Sequence, residues 1–174
     1  MTKPKPKQRP AYILQAAGKA NYDKTVSSPI SISEYSESMG QDSVALREIF
    51  PGGSVRLYGL RPDGAGHFER LWKEILIGDV VLFSSKGLIR AKAEVVYKSR
   101  NPVLAESLWG ISETGRSFEL LYFLDNFEEL NLPSSKFNEV VGYGPKFFVQ
   151  SAFRLSDEKA ESLRSFLETS KRTW

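Results

Sequence analysis

Residues 77–96, IGDVVLFSSKGLIRAKAEVV, limit the fold more than any other stretch of this chain. An apolar run, a polar SSKG turn and an alternating run follow one another, which is the pattern of a β-hairpin. The second strand sends Ile89, Ala91, Ala93 and Val95 to one face and Arg90, Lys92, Glu94 and Val96 to the other. Two successive alanines on an apolar face fill little volume. Either a bulky neighbour packs over them, or the space is kept for something that is not protein.

Other strands are expected around this hairpin. AYILQAA (11–17) and SVRLYGL (54–60) have strand composition, and SFELLYFL (117–124) forms a largely apolar strand with FEELNL (127–132) as its pairing partner. HFERLWKEI (67–75) carries Phe68, Leu71, Trp72 and Ile75 at helical spacing. Asn101-Pro102 marks a turn before a short helical stretch that Gly110 ends. Ser156 caps a terminal helix with Asp157 and Glu158 in its first turn and an apolar stripe of Ala160, Leu163 and Leu167. Residues 44–50 fit strand or helix, 136–146 a loop or single helical turn, and 147–156 an extended or turn-like run. The polar, serine-rich residues 18–43 read as a long connection with room for one short helix, a kind that is often functional or mobile.

This order predicts the α+β class: a small curved sheet or barrel, mostly antiparallel, flanked by helices. A chain of 174 residues, 41% hydrophobic, suits one core. Residues 11–170 are expected to form a single domain behind a basic, proline-rich disordered tail, MTKPKPKQRP (1–10).

With no cysteine and one histidine, the chain cannot build disulfides, thiolate metal sites or paired-histidine chemistry. His67 reads as a surface turn residue. Asp63, Asp79 and Asp125 lack carboxylate partners at motif spacing, and Asp79 in IGD most simply shapes a turn. Neither GxxxxGK[ST] nor GxGxxG occurs. No enzyme, cofactor or metal is expected. No apolar run approaches the ~20 residues of a membrane helix, and no signal peptide opens the chain, so a cytoplasmic protein is expected.

Binding is the stronger reading. Tyr58, Phe68, Trp72, Trp109, Tyr122, Phe123 and Tyr143 gather in or near connections. Trp72 shares a helix face with Phe68 and Leu71, as a core residue does. Trp109 stands beside glycine in the polar run SLWGISETGR, where a large ring needs something to cover. Aromatic walls over a floor of Ala91 and Ala93 form a slot for a flat ring such as a nucleobase. Ser84 and Ser85 would meet the base edge, while Lys86, Arg90, Lys92, Lys98 and Arg100 crowd the hairpin and its exit and could meet phosphates. The alternatives are a protein-interaction or scaffold domain using exposed aromatics, and, more weakly, a small-molecule enzyme using Asp79 or Asp125 with Lys86.

LWKEILIGDVVLFSSKGLIRAKAEVV, then LWG, FELLYFLDN and GYGPKFF…FRLS, resemble the PUA-like superfamily over residues 11–167. EVE and YTH domains are the nearest in pattern, including the N-terminal specificity domains of McrBC-type modification-dependent restriction systems. The resemblance implies a twisted five- or six-stranded β-barrel flanked by helices, with a pocket for one modified base flipped out of duplex DNA or presented by single-stranded RNA. Phe83-Ser84 and Gly87 match the YTH-type strand end and turn, which makes Ser84 and Ser85 base-edge contacts. The family's aromatic cage maps to Trp72 and Trp109, with Tyr122 or Phe123 as further walls. Lys86 occupies the region where such turns often carry asparagine, which leaves the identity of the base open. The implied partners are modified DNA or RNA and a nuclease or NTPase domain or subunit.

Overall fold

The structure, a computed structural model, describes residues 9–171. Of the expected 1–10 tail, only Arg9 and Pro10 fall within the described residues. The elements in chain order are β1 (Tyr12–Ala16), α1 (Lys19–Tyr22), a π-helical turn (Asp23–Ser27), β2 (Ile30–Ser31), α2 (Ser36–Met39), α3 (Asp42–Ile49), β3 (Ser54–Leu60) and α4 (His67–Glu74). They continue with β4 (Val80–Ser85), β5 (Leu88–Arg100), α5 (Pro102–Trp109), β6 (Leu120–Pro133), α6 (Ser134–Val141), β7 (Ala152–Arg154) and α7 (Asp157–Lys171).

The hairpin forms as the sequence predicts, with a tighter turn. Ser85 pairs with Leu88, leaving Lys86 and Gly87 at φ +48° and +73°. Two successive left-handed residues give the turn whose twist matches that of paired strands.

The seven strands lie in the order β2-β3-β6-β5-β4-β1-β7. The pairing of β1 with β4 is parallel, and every other pairing is antiparallel. The sheet rolls. Tyr122 on β6 donates its hydroxyl to Gln15 Oε1 on β1 at 2.7 Å, and the Tyr58 and Phe83 rings of β3 and β4 stand 5.6 Å apart. Each pair is three strand positions apart, about 14 Å across a flat sheet. One core cluster fills the concave side, with Ile13, Tyr58, Phe83, Ala91, Ala93, Val95, Leu120 and Tyr122 among its residues.

The expected five- or six-stranded barrel is thereby corrected to an open, mixed, seven-stranded sheet. The end strands β2 and β7 do not pair with each other. The first part of the 18–43 connection packs into the core instead: Tyr22 and Val26 join the concave cluster. Thr25 Oγ1 donates to Leu57 O at 2.6 Å, and Arg56 Nε donates to Val26 O at 2.8 Å. Its later part is fixed by Asp42, whose carboxylate accepts from Tyr97 Oη, Ser99 Oγ and Asn101 Nδ2. Residues 18–43 are therefore an ordered part of the fold.

Two clusters cover the convex side. Leu46, Met39, Leu104 and Leu108, from α2, α3 and α5, pack on Leu57, Leu121 and Phe123. Phe137, Val141, Leu163 and Leu167, from α6 and α7, pack on Leu14, Leu82 and Ile89. The middle strands are buried on both faces, which explains the unbroken apolar run LLYFL at 120–124.

Three further expectations change. Residues 44–50 resolve as helix, being largely α3. FEELNL does not fold back on 117–124; residues 120–124 and FEELNL both belong to the 14-residue β6 and pair along β5, itself 13 residues long. Residues 136–146, read as a loop or single helical turn, hold most of the two-turn α6 (134–141), because Phe137 and Val141 stand one turn apart and bury together against α7.

Candidate nucleic-acid interface

The alanine question has a protein answer. Ala91 and Ala93 are 0% and 1% exposed, and they share the concave cluster with Phe83, Tyr122 and Ile75. Small side chains in the middle of a rolled sheet give the rings of neighbouring strands room to cross the interior. Tyr122 and Phe123, expected as pocket walls, are both 0% exposed and point to opposite faces of β6. These four residues are core and offer no open surface to a base.

The two expected indole walls also separate. Trp72 packs on the concave cluster and Trp109 on one of the convex clusters. No ring contact among the described residues joins them. Trp72 Nε1 donates to Leu121 O at 3.0 Å, and Lys98 Nζ lies 4.5 Å over its ring.

Trp109 sits where α5 ends, just before Gly110 turns the chain at φ +75°. Its ring lies 5.8 Å from Tyr58 and 6.0 Å, edge-on, from Phe118. The Arg61 guanidinium stacks 4.2 Å over the other partner, Phe118. Trp109 Nε1 and Arg61 Nε are both buried without a hydrogen-bond partner among the described residues. Leaving a buried donor unpaired costs roughly 1–3 kcal/mol each, so two around one ring are exceptional.

Three local features build this aromatic box. Gly59 lets the chain cross close to β3, since a Cβ there would stand 2.2 Å from Phe118 O. Asn101 Oδ1 accepts from Leu104 N at 3.0 Å and caps α5, which carries Trp109. Lys24, in the π-helical turn, donates to Leu108 O and ties that turn to the end of α5. Beneath the box, burial pushes the Tyr58 hydroxyl up to about 12, against hydrogen bonds to the Asn21 side chain and the Gly18 backbone that lower it.

The hairpin serines are better placed for contact than the alanines. Ser84 and Ser85 are half-buried, and their hydroxyls make no hydrogen bond among the described residues. The five expected phosphate contacts divide. Lys86 is exposed and Arg90 half-buried, and neither makes an ion pair among the described residues. Lys92 pairs with Glu128 at 3.5 Å, and Arg100 with Glu119 at 2.7 Å and Glu69 at 3.6 Å. Lys98 serves the fold. Its Nζ donates to Trp72 O and, at 2.7 Å, to Ile75 O at the end of α4, and burial lowers its pKa although nearby Asp79 raises it.

Asp79 does shape its turn, accepting from Ala11 N at 3.0 Å and Leu76 N at 2.9 Å. His67 opens α4 with an exposed side chain, its Nδ1 2.9 Å from Asp63 Oδ2. No group of three or more potential metal ligands occurs among the described residues. No helix among them is long and apolar enough to cross a membrane. Sequence reasoning missed Phe118, Arg61 and Asn21; Gly59 inside a strand was the one available signal that a backbone passes close by.

No family model matches the chain, and no curated protein matches it. Among solved structures, it is similar to the N-terminal domain of Thermococcus gammatolerans McrB bound to m5C DNA. The match covers 91% of this chain and 98% of that chain, with a TM-score of 0.64 and 16% identity. The fold is that of an McrB N-terminal domain. The resemblance to McrBC-type specificity domains read from the sequence thus holds for the architecture.

Proposed function

We propose that this chain is a non-catalytic specificity module that binds DNA carrying a modified base and receives that base at the Trp109 box. The observation that carries the reading is the buried, unpartnered indole N–H of Trp109, beside Tyr58 and Phe118, on a fold shared with a domain bound to m5C DNA. The base meets the Trp109 indole at its edge, where an oxygen or nitrogen of the base accepts from Trp109 Nε1 or Arg61 Nε. Ser84 and Ser85 are further edge contacts. Trp72, Ala91, Ala93, Tyr122 and Phe123 act behind the site, as the packed wall that holds it rigid. Lys86 and Arg90 meet phosphates, and any cleavage belongs to a separate nuclease or NTPase domain or subunit.

The test is a binding panel of duplex DNA, single-stranded DNA and RNA, each with and without 5-methylcytosine or N6-methyladenine. The wild-type chain is expected to prefer one modified DNA, and Trp109→Ala to weaken that complex at least roughly tenfold, through loss of an aromatic contact and its hydrogen bond. Replacing Lys86 and Arg90 together with glutamine should weaken all sequences alike and make the salt dependence shallower by roughly two phosphate contacts. Equal binding of modified and unmodified oligonucleotides would overturn the base reading. An unchanged Trp109→Ala complex would overturn the pocket.

A further inference from the structure

Between Glu139 and Asp157 the chain contains no acidic residue, and GYGPKFFVQS (142–151) crosses the surface with Phe148 65% exposed. Exposed phenylalanine usually folds down onto a neighbouring apolar surface. Here the backbone on its N-terminal side is fixed. The Asn138 side chain, in a residue only 2% exposed, donates to Phe147 O at 2.8 Å. The Phe147 ring stacks on Tyr143 at 4.0 Å and 21°, and meets Phe153 edge-on at 6.3 Å. With Phe147 anchored on both sides, Phe148 is presented to solvent on a rigid base. Exposed Lys146 stands two positions away and makes no ion pair among the described residues.

This loop lies beside the serine hairpin. Ala16 N donates to Ser151 O at 3.0 Å, and Ala17 N donates to Ser84 O at 2.9 Å. Among the described residues, the end of β1 alone thus separates Ser151 from Ser84. Phe148, three residues from Ser151, reaches at most about 10 Å further. Resting on the proposed DNA-binding function, we infer that Phe148 is a second aromatic contact, which stacks on a nucleobase of the bound strand outside the Trp109 box while Lys146 meets the adjoining phosphate. The absence of carboxylates suits a polyanion, and a ring held away from its own core suits a flat partner.

The full chain is tested as wild type, Phe148→Ala, Phe148→Trp and Lys146→Gln, on the modified DNA duplex the wild type prefers and on its unmodified counterpart. Phe148→Ala is expected to weaken both complexes roughly tenfold with an unchanged salt slope, and Lys146→Gln to make the slope shallower by roughly one contact. Phe148→Trp should bind as the wild type does, and its added indole fluorescence should be quenched by DNA. If the wild type binds modified DNA and Phe148→Ala matches it, the Phe148 contact is refuted while the function stands. If the wild type binds no oligonucleotide, both fall, and the exposed ring belongs to a protein surface. Because Phe148 is largely solvated, its variants should melt with the parent, which separates lost contact from lost fold.

Discussion

Trp72 and Trp109 are two half-buried indoles at different margins of the core, and their polar edges are treated differently. The N–H of Trp72 reaches Leu121 O, and its ring lies under Lys98. The N–H of Trp109 is buried beside Tyr58 and Phe118 with no acceptor among the described residues, next to an arginine whose Nε is in the same condition. One ring is completed by the fold. The other keeps a polar demand that the described residues leave unmet. Aromaticity alone could not separate them; the hydrogen-bond inventory does.

The sharpest way to break this contrast is Trp72→Ala. It should cost about 3 kcal/mol in chemical denaturation, because a large ring leaves the core margin and Lys98 loses its partner, while the folded fraction still binds modified DNA. A loss of binding to match that of Trp109→Ala would erase the distinction.

A smaller effect comes from alkaline pH. Burial raises Tyr58 from 10.0 to about 12, so the neutral phenol favours the folded state. That contribution is complete below the unfolded value near 10 and is lost as pH rises toward 12, on the order of 2 kcal/mol. Urea titrations across that window should show the fall, and Tyr58→Phe should flatten part of it. Tyr97, also raised to about 12 by burial and its bond to Asp42, carries a further part. An unaltered slope in Tyr58→Phe would mean that the box does not shield its floor.

Lys98→Met should cost about 1 kcal/mol, since the last carbonyls of α4 lose a donor, and it should leave the salt dependence of DNA binding unchanged. A shallower salt slope would return Lys98 to the phosphate contacts. The least change in stability is expected for Trp109→Phe, within about 0.5 kcal/mol. Its affinity for modified DNA should nevertheless fall roughly fivefold by titration, as one hydrogen bond is lost. Parental affinity would show that the indole N–H takes no part.

The elements with local signals were legible in the sequence. The hairpin, α4, the Asn101 cap of α5 and the Ser156 start of α7 each follow from spacing or capping residues within a few positions. The continuation of β6 through Asp125-Asn126 was not legible, because it depends on an equally long β5 lying alongside. The roll of the sheet was hidden for the same reason, since the Tyr122–Gln15 bond links residues 107 positions apart. That distance also concealed the role of the alanines. Their size was read correctly as room, but the occupants are protein rings, Phe83 and Tyr122 from the two neighbouring strands among them. At the candidate site, Trp109 stood out as a large ring beside glycine. Arg61 and Phe118 did not, because a cation next to an aromatic in space leaves no trace in either one's neighbours along the chain.

The placement of β1 bears on how the molecule is made. Its two partners, β4 and β7, come from far along the chain, with Ile13 opposite Arg154 on the order of 140 residues away. A chain emerging from the ribosome must therefore carry β1 with at least one bare edge until residues 152–154 have been synthesised. Final closure of the sheet is a late event, and a chain halted before β7 would present that edge to any neighbouring strand.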